Sequence, residues 1–307
     1  MSRREKKNKK KKWPWVLGIL GLIVIGLGIY LFTIYNSFTN TLEEIHEPIE
    51  REASEKRTTD QGVVLSEQDP FSVVLLGVDE REDDRGRSDT VVVLTVNPAE
   101  QSTKMVSIPR DTYTEIVGRG TMDKINHAYA FGGIEMSMAT VENLLDIPID
   151  YVMQVNMEGF QDIVDAVGGV EVNNAMAFDE FAAGNIELNG EEALGYVRMR
   201  KQDPEGDFGR QNRQKQVIQA IMKEGASVNS LLNYRGIFDA LGNNVRTNMT
   251  FDEMMDVQSN YRDAIDTVDQ ILVEDGTGET INGIWYYMMD DAELAEIQTT
   301  LKEHLDM

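Results

Sequence analysis

The chain has 307 residues, 41% of them hydrophobic, enough to bury a full core in one large domain or two small ones. It has no cysteine and only three histidines, His46, His127 and His304. That excludes a disulfide framework, a thiolate nucleophile and a cysteine metal site, and leaves a histidine-rich centre or a serine–histidine triad poorly supplied. The formal net charge of −24 is unevenly divided: residues 1–12 carry +7 and the remainder −31, so most of the surface repels nucleic acid and anionic lipid, and arginine clusters stand out.

Residues 1–12 read as a basic cytoplasmic tail. Residues 13–35 follow as a transmembrane helix, with an uncharged run from Val16 to Phe32 that spans ~30 Å with its flanks. Trp13 and Trp15 on one side and Tyr30 and Tyr35 on the other suit interfacial belts, and the lysines keep their side in the cytoplasm. No small-residue cleavage site follows, so the segment is expected to stay as a single-pass anchor. Residues 36–69, rich in Glu, Lys, Thr and Asp, read as an extracytoplasmic stalk or linker that ends at Pro70.

Three apolar, β-rich runs open the remaining domain, residues 70–307: Phe71–Val78, Thr90–Val96 and Met105–Ile108. Runs of this kind predict buried strands. Tyr113–Gly120 reads as a loop or short edge strand, and Met122–Phe131 as weakly helical up to Gly132-Gly133. Apolar residues at Ile134, Met138, Val141 and Leu145 predict a helix, as do Phe160, Ile163, Val164 and Val167. Strands are expected at Tyr151–Met157, Val170–Val172 and near Thr267–Val273. Asn173–Gly190 reads as a polar loop. Helices are expected at Glu191–Arg200, Arg210–Glu224, Val228–Leu241, Phe251–Tyr261 and Asp290–His304, with Gln202–Gly209 as a loop. Asn248-Met249-Thr250 fits a glycosylation sequon. Strands alternating with helices give an α/β class: a three-layer domain with a central, mostly buried sheet flanked by helices.

Each opening run meets charge at one end: Asp79, then Arg87-Ser88-Asp89, then Arg110-Asp111. Charge at the ends of buried strands must pair, bind a metal or bind an anion. A second cluster, Arg198, Arg200, Lys201, Arg210 and Arg213 with Gln214, lies in YVRMRKQDPEGDFGRQNRQ. Guanidinium forks match phosphate oxygens bidentately. Two aspartates opposite such arginines are what a Mg²⁺–pyrophosphate needs, since Mg²⁺ takes one or two carboxylates plus phosphate oxygens. Either cluster could equally be surface ion pairs.

The blocks LLGVDER, GRSDT, SIPRDTY, KINHAYAFGG, IPIDYVMQVNMEGF, DAVGGVEV, LNGEEALGYVRMRK and DFGRQNRQ, in this order over residues 71–225, resemble the LytR–CpsA–Psr family of cell-wall glycopolymer ligases. Within it the chain is most similar to the teichoic-acid transferases of Gram-positive bacteria. The resemblance implies a membrane-anchored phosphotransferase whose catalytic domain is extracellular. It would move an anionic glycopolymer from a polyprenyl-pyrophosphate carrier to N-acetylmuramic acid of peptidoglycan. Asp79 and Asp89 match the family's Mg²⁺-binding aspartates, with Mn²⁺ a possible substitute. Arg87, Arg110, Arg198, Arg200 and Arg210 match its pyrophosphate-binding arginines, with Arg213 and Gln214 in the neighbouring block and Lys124 near the phosphates. Arg110 and Asp111 are the catalytic candidates, Asp111 as the group that activates the acceptor hydroxyl, and Asp207 is a further contributor. The polyprenyl tail needs an apolar tunnel, for which the two helical stripes named above compete with an ordinary core role. A polyprenyl-pyrophosphate hydrolase, or a non-catalytic protein that senses the lipid-linked polymer, is the alternative.

Overall fold

The computed structural model describes residues 54, 56–57, 62–79, 86–200, 202–225 and 244–307. The expected tail, transmembrane helix and 228–241 helix lie outside these residues. Among the described residues no helix is long and apolar enough to cross a membrane.

In chain order the elements are β1 (Phe71–Val78), β2 (Ser88–Asn97), β3 (Ser102–Ile108), β4 (Tyr113–Ile116), β5 (Thr121–Lys124), α1 (His127–Leu145), β6 (Tyr151–Asn156), α2 (Met157–Ala166), β7 (Val170–Asn174) and β8 (Gly184–Leu188). There follow α3 (Gly190–Arg198), α4 (Asp207–Gly225), β9 (Val245–Thr247), α5 (Phe251–Asn260), α6 (Arg262–Asp266), β10 (Val268–Ile271), β11 (Thr277–Ile281), β12 (Ile284–Met288) and α7 (Asp291–His304). The central sheet has the order β10-β3-β2-β1-β6-β9. The three opening runs pair antiparallel, while β6 joins β1 and β10 joins β3 in parallel. Two-residue periodicity separates the faces. Val74, Leu76, Val78, Val91, Val93, Val106 and Ile108 pack under α1 and α7. On the other face, Val92, Leu94 and Met105 meet Ile218 of α4, and Phe71 and Val96 meet Tyr261 and Ala264 beside α5 and α6. The domain is thus a mixed α/β fold with helices on both sides of its sheet.

Both helical stripes are core. Ile134, Met138, Val141 and Leu145 are buried against the sheet, and Val164 and Val167 join Tyr196 and Val217 in a second cluster under α3 and α4. Four local expectations change. Residues 121–124 are strand rather than helix, because they pair with β4 in a short hairpin. Asn173–Gly190 contains β8, which pairs with β7. Helix α4 starts at Asp207, so Arg210 lies inside it. Thr277–Met288 form a hairpin around Asn282-Gly283, both at positive φ, the geometry a tight primed turn requires. Helix α1 is kinked where Gly132 and Gly133 leave helical geometry, Gly133 with φ of 66°. The sequon residue Asn248 is engaged inside the fold: its side chain accepts from the Val152 amide and donates to the Asp150 carbonyl.

The end of the stalk is tied to the start of the sheet. Arg57 donates twice to Asp150, which also accepts from the Ser72 amide and hydroxyl at 2.8 and 2.9 Å. Lys56 and Lys302 both pair with Asp146, and Ser54 donates to Glu142.

Two predictions follow from buried polar groups. Arg213, 5% exposed, donates to the carbonyls of Tyr196 and Met199 and pairs with the buried Asp203. Removing it leaves an uncompensated buried carboxylate, so Arg213→Met should cost about 3–5 kcal/mol, and Arg213→Lys should restore little because it lacks the fork; urea unfolding midpoints measure both. His304, 1% exposed, is held by the Thr95 and Ser102 hydroxyls at 2.8 and 3.0 Å. Burial, and then the Lys104 charge, push its imidazole below the usual 6.5. The unfolded chain therefore binds the proton more readily, and this contribution to stability is full above pH ~6.5 and lost as pH falls below it. His304→Gln should flatten the pH dependence of Tm between about pH 6.5 and 5 relative to the parent chain.

Candidate functional site

The charged ends of the opening strands meet at one edge of the sheet. Strands β1 and β2 pair in step from Phe71–Val96 to Gly77–Thr90, then slip, so that Val78 faces Ser88 and Asp89 becomes the extra residue. A bulge re-aims the side chain it carries and is common beside functional sites. Gly77 permits the close approach here: a Cβ on it would stand 2.9 Å from that of Thr90. The Arg87 carbonyl then accepts from the amides of both Asp79 (3.4 Å) and Asp89 (3.1 Å), tying the two aspartates to one turn.

Strand β3 ends at Ile108, and a turn in which the Thr112 amide and hydroxyl both bond the Pro109 carbonyl presents Arg110 and Asp111. The result is a row of alternating charge. Arg110 Nη1 lies 3.0 Å from Asp89 Oδ1, Arg110 Nε 3.6 Å from Asp111 Oδ2, and Lys124 Nζ 2.6 Å from Asp111 Oδ1. The four side chains are between 17% and 33% exposed, so solvent reaches the row without flooding it. Asn126, on no site list drawn from sequence, joins them. Its amide nitrogen Nδ2 donates to Asp89 Oδ1 at 3.4 Å, its backbone N–H bonds the Arg110 carbonyl at 3.3 Å, and its Oδ1 is buried without a hydrogen bond. Behind the row, burial opposes ionisation of Asp123, but the bond to His127 (2.9 Å) and the Lys124 amide outweigh it and hold the carboxyl below its usual range.

The arginine cluster is placed in two ways. Arg198 and Arg200 are exposed at the end of α3, Arg210 is buried in the first turns of α4, and Gln214 is half-buried. Arg213 is spent on Asp203 and two carbonyls, which makes it a structural residue rather than a free anion ligand. Beside it a 530 Å³ cavity is lined by Asn174, Tyr196, Asp203, Glu205, Arg213 and Gln216, where the Arg213–Asp203 pair leaves Glu205 as an additional acidic group. The start of α4 adjoins the acid–arginine row through one aromatic contact: Phe208 stacks edge-on against Tyr287 with ring centres 5.7 Å apart, and the Tyr287 amide donates to the Asp111 carbonyl at 2.9 Å. Nothing in local sequence pattern foretells this link, because β12 lies far along the chain from Asp111.

Among the described residues no three His, Cys, Asp or Glu side chains are grouped to hold a metal ion. A cation here would draw on Asp79 and Asp89 and complete its shell from ligand oxygens. This all-oxygen donor set of one or two carboxylates, with the unpartnered Asn126 Oδ1 nearby, fits Mg²⁺.

Known proteins align with this chain along nearly its whole length. It is 52% identical over 303 residues to the polyisoprenyl-teichoic acid–peptidoglycan teichoic acid transferase TagU of Bacillus cereus strain AH820, covering 97% of this chain and 99% of that protein. The crystal structure of B. subtilis TagU superimposes with a TM-score of 0.63 at 51% identity, covering 78% of this chain and 98% of that one. TagT bound to LIIa-WTA does so with a TM-score of 0.73 at 33% identity, covering 85% and 100%. The LytR_cpsA_psr family model matches residues 32–303, and the chain belongs to that family.

Proposed function

We propose that this chain is a phosphotransferase of the cell envelope that attaches an anionic glycopolymer, teichoic acid, to N-acetylmuramic acid of peptidoglycan, with a polyprenyl-pyrophosphate as donor. The observation that carries the reading is the row Asp89–Arg110–Asp111–Lys124 at the strand ends, in a chain half-identical to proteins named teichoic acid transferases. Two cations held in register by two carboxylates are preorganised to receive a dianion, because the ligand displaces partners rather than ordering side chains afresh. In this reading Arg87, Arg198, Arg200 and Arg210 would supply the further guanidinium groups that a pyrophosphate needs.

In the transfer, the acceptor hydroxyl oxygen forms a bond to the glycopolymer-side phosphorus. The bond from that phosphorus to the bridging oxygen breaks, and its electron pair leaves on polyprenyl phosphate. The hydroxyl proton passes to a base, for which Asp111 is the candidate. Asp79 and Asp89 would hold Mg²⁺, or Mn²⁺ in its place; such an ion supplies charge neutralisation of the pyrophosphate. The lipid lies over the sheet face of Val73, Leu75, Val92, Leu94 and Met105, where Val73 and Leu75 stay half-buried despite their central strand. Residues 1–12 then lie in the cytoplasm, 13–35 span the membrane once, 36–69 form the stalk, and 70–307 act outside the cell of a Gram-positive bacterium.

The test uses the full chain in detergent with a polyprenyl-pyrophosphate-linked glycan, peptidoglycan and Mg²⁺. Polyprenyl phosphate should be released and labelled glycan should become peptidoglycan-bound. Asp89→Ala and Arg110→Ala should each lower kcat by about 10²–10³. Parental turnover in the double variant would sink the mechanism, and free labelled glycan without attachment would convert it to a hydrolase.

A further inference from the structure

Lys215, near the middle of α4, is 3% exposed, yet among the described residues no hydrogen bond or ion pair reaches it. The contrast with other cations of the domain is direct: Arg57 holds Asp150, Arg213 holds Asp203, and Lys124 holds Asp111. Burial lowers the lysine ammonium below its ordinary value, and the charge of Glu274 offsets this only in part. An ammonium withdrawn from water without a partner is destabilising, and such a residue persists where a ligand completes it.

Helix geometry says where it points. Phe208, Gln211, Lys215 and Ile218 are spaced three, four and three residues apart and share one stripe of α4. At one end of the stripe Phe208 meets Tyr287, next to Asp111. At the other, Ile218 packs on Val92, Leu94 and Met105. Lys215 therefore stands where the charged edge of the site gives way to the apolar floor. Long side chains on a helix lean toward its N-terminus, which carries the ammonium back toward the Phe208 end. Of the α4 residues that line the 530 Å³ cavity, Arg213 lies on the opposite side of the helix, and Asn212 and Gln216 flank this stripe. The floor beneath Lys215 is not sealed, since Val73 and Leu75 on the same face remain half-buried.

We infer that Lys215 is an interior anion subsite, which takes the phosphate nearest the lipid when a polyprenyl-pyrophosphate occupies this face. The inference rests on the donor proposed above. Its position also gives it a task in the transfer: the electron pair released by P–O cleavage collects on the lipid-side phosphate, and a fixed ammonium there stabilises the leaving group as its charge grows.

Binding of geranyl pyrophosphate and of uncharged geraniol to the full chain in detergent, together with Tm without ligand, tests it. Lys215→Met should leave the unliganded Tm unchanged or higher, since it removes an uncompensated buried charge. It should weaken geranyl pyrophosphate binding by about 10–100-fold, as loss of a charge-assisted hydrogen bond does, and leave geraniol binding alone. Lys215→Arg should recover part of the pyrophosphate affinity. Equal affinity of Lys215→Met and parent for geranyl pyrophosphate overturns the inference while leaving the donor reading intact. So does a fall in Tm with equal losses for both ligands, which would make Lys215 a structural partner of Glu274. If the parent chain binds no pyrophosphate at all, the donor reading fails and takes the Lys215 subsite with it.

Discussion

The pairing of β1 with β2, and the single slip that ends it, governs where charge can stand in this domain. Both strands lie in the middle of the six-stranded sheet, so their side chains are committed to two packed faces and have no room for an ionised group. The slip after Gly77 releases Asp89 from that alternation at the first position where the sheet meets solvent. The turn through Arg87 holds Asp79 at the same edge, and the following hairpin partner β3 delivers Arg110 to Asp89. Smoothing the bulge would shift one strand by a residue and turn Asp89 toward a core face, a change no local contact could offset. The site is therefore a by-product of sheet register, with Asn126 at the entry to α1 and Lys124 at the end of β5 as braces.

A strongly acidic chain has few cations to place, and their placements differ in kind. Arg57 and Arg213 are consumed by the fold: one closes the entry to β1, the other locks α4 to the end of α3. Arg110 and Lys124 are partnered but reachable, an arrangement that keeps them oriented and exchangeable. Arg198, the last residue of α3, and Arg200 just beyond it are exposed ahead of an acid-bearing loop, where long-range attraction for an anion matters more than any single contact. Sequence proximity does not sort these roles, since Arg210 and Arg213 are three residues apart on one helix and face different surroundings.

Much of the fold was legible because long apolar runs and helical stripes leave little freedom; β1, β3, β6, α2, α5 and α7 fall where periodicity puts them. The failures have physical causes. Strand β8 alternates polar and apolar residues too weakly to show, and β5 was hidden because MDKINHAYAF has helix-compatible composition until pairing with β4 decides its first three residues. The Asn282-Gly283 turn was visible in principle, as the strongest short hairpin signal, but IWYYM after it needed a partner strand as polar as TGETI. At the site, Asp89, Arg110 and Asp111 could be nominated from charge at strand ends, and Lys124 only from the family resemblance. Asn126, Tyr287 and Lys215 could not, because their importance lies in long-range packing. The apolar stripes of α1 and α2 were legible as helical faces, but periodicity is the same for a core and a channel, and only burial places most of their residues in the core.

The clamp between Arg57, Asp150 and Ser72 fixes the direction from which the preceding chain enters. It grips β1 at its first residues, whereas Asp79 follows its last, and the strand's eight residues separate the two by about 25 Å. The clamp and the charged row thus sit at opposite ends of one central strand, so the entry to the sheet and the candidate site are joined only through the length of β1.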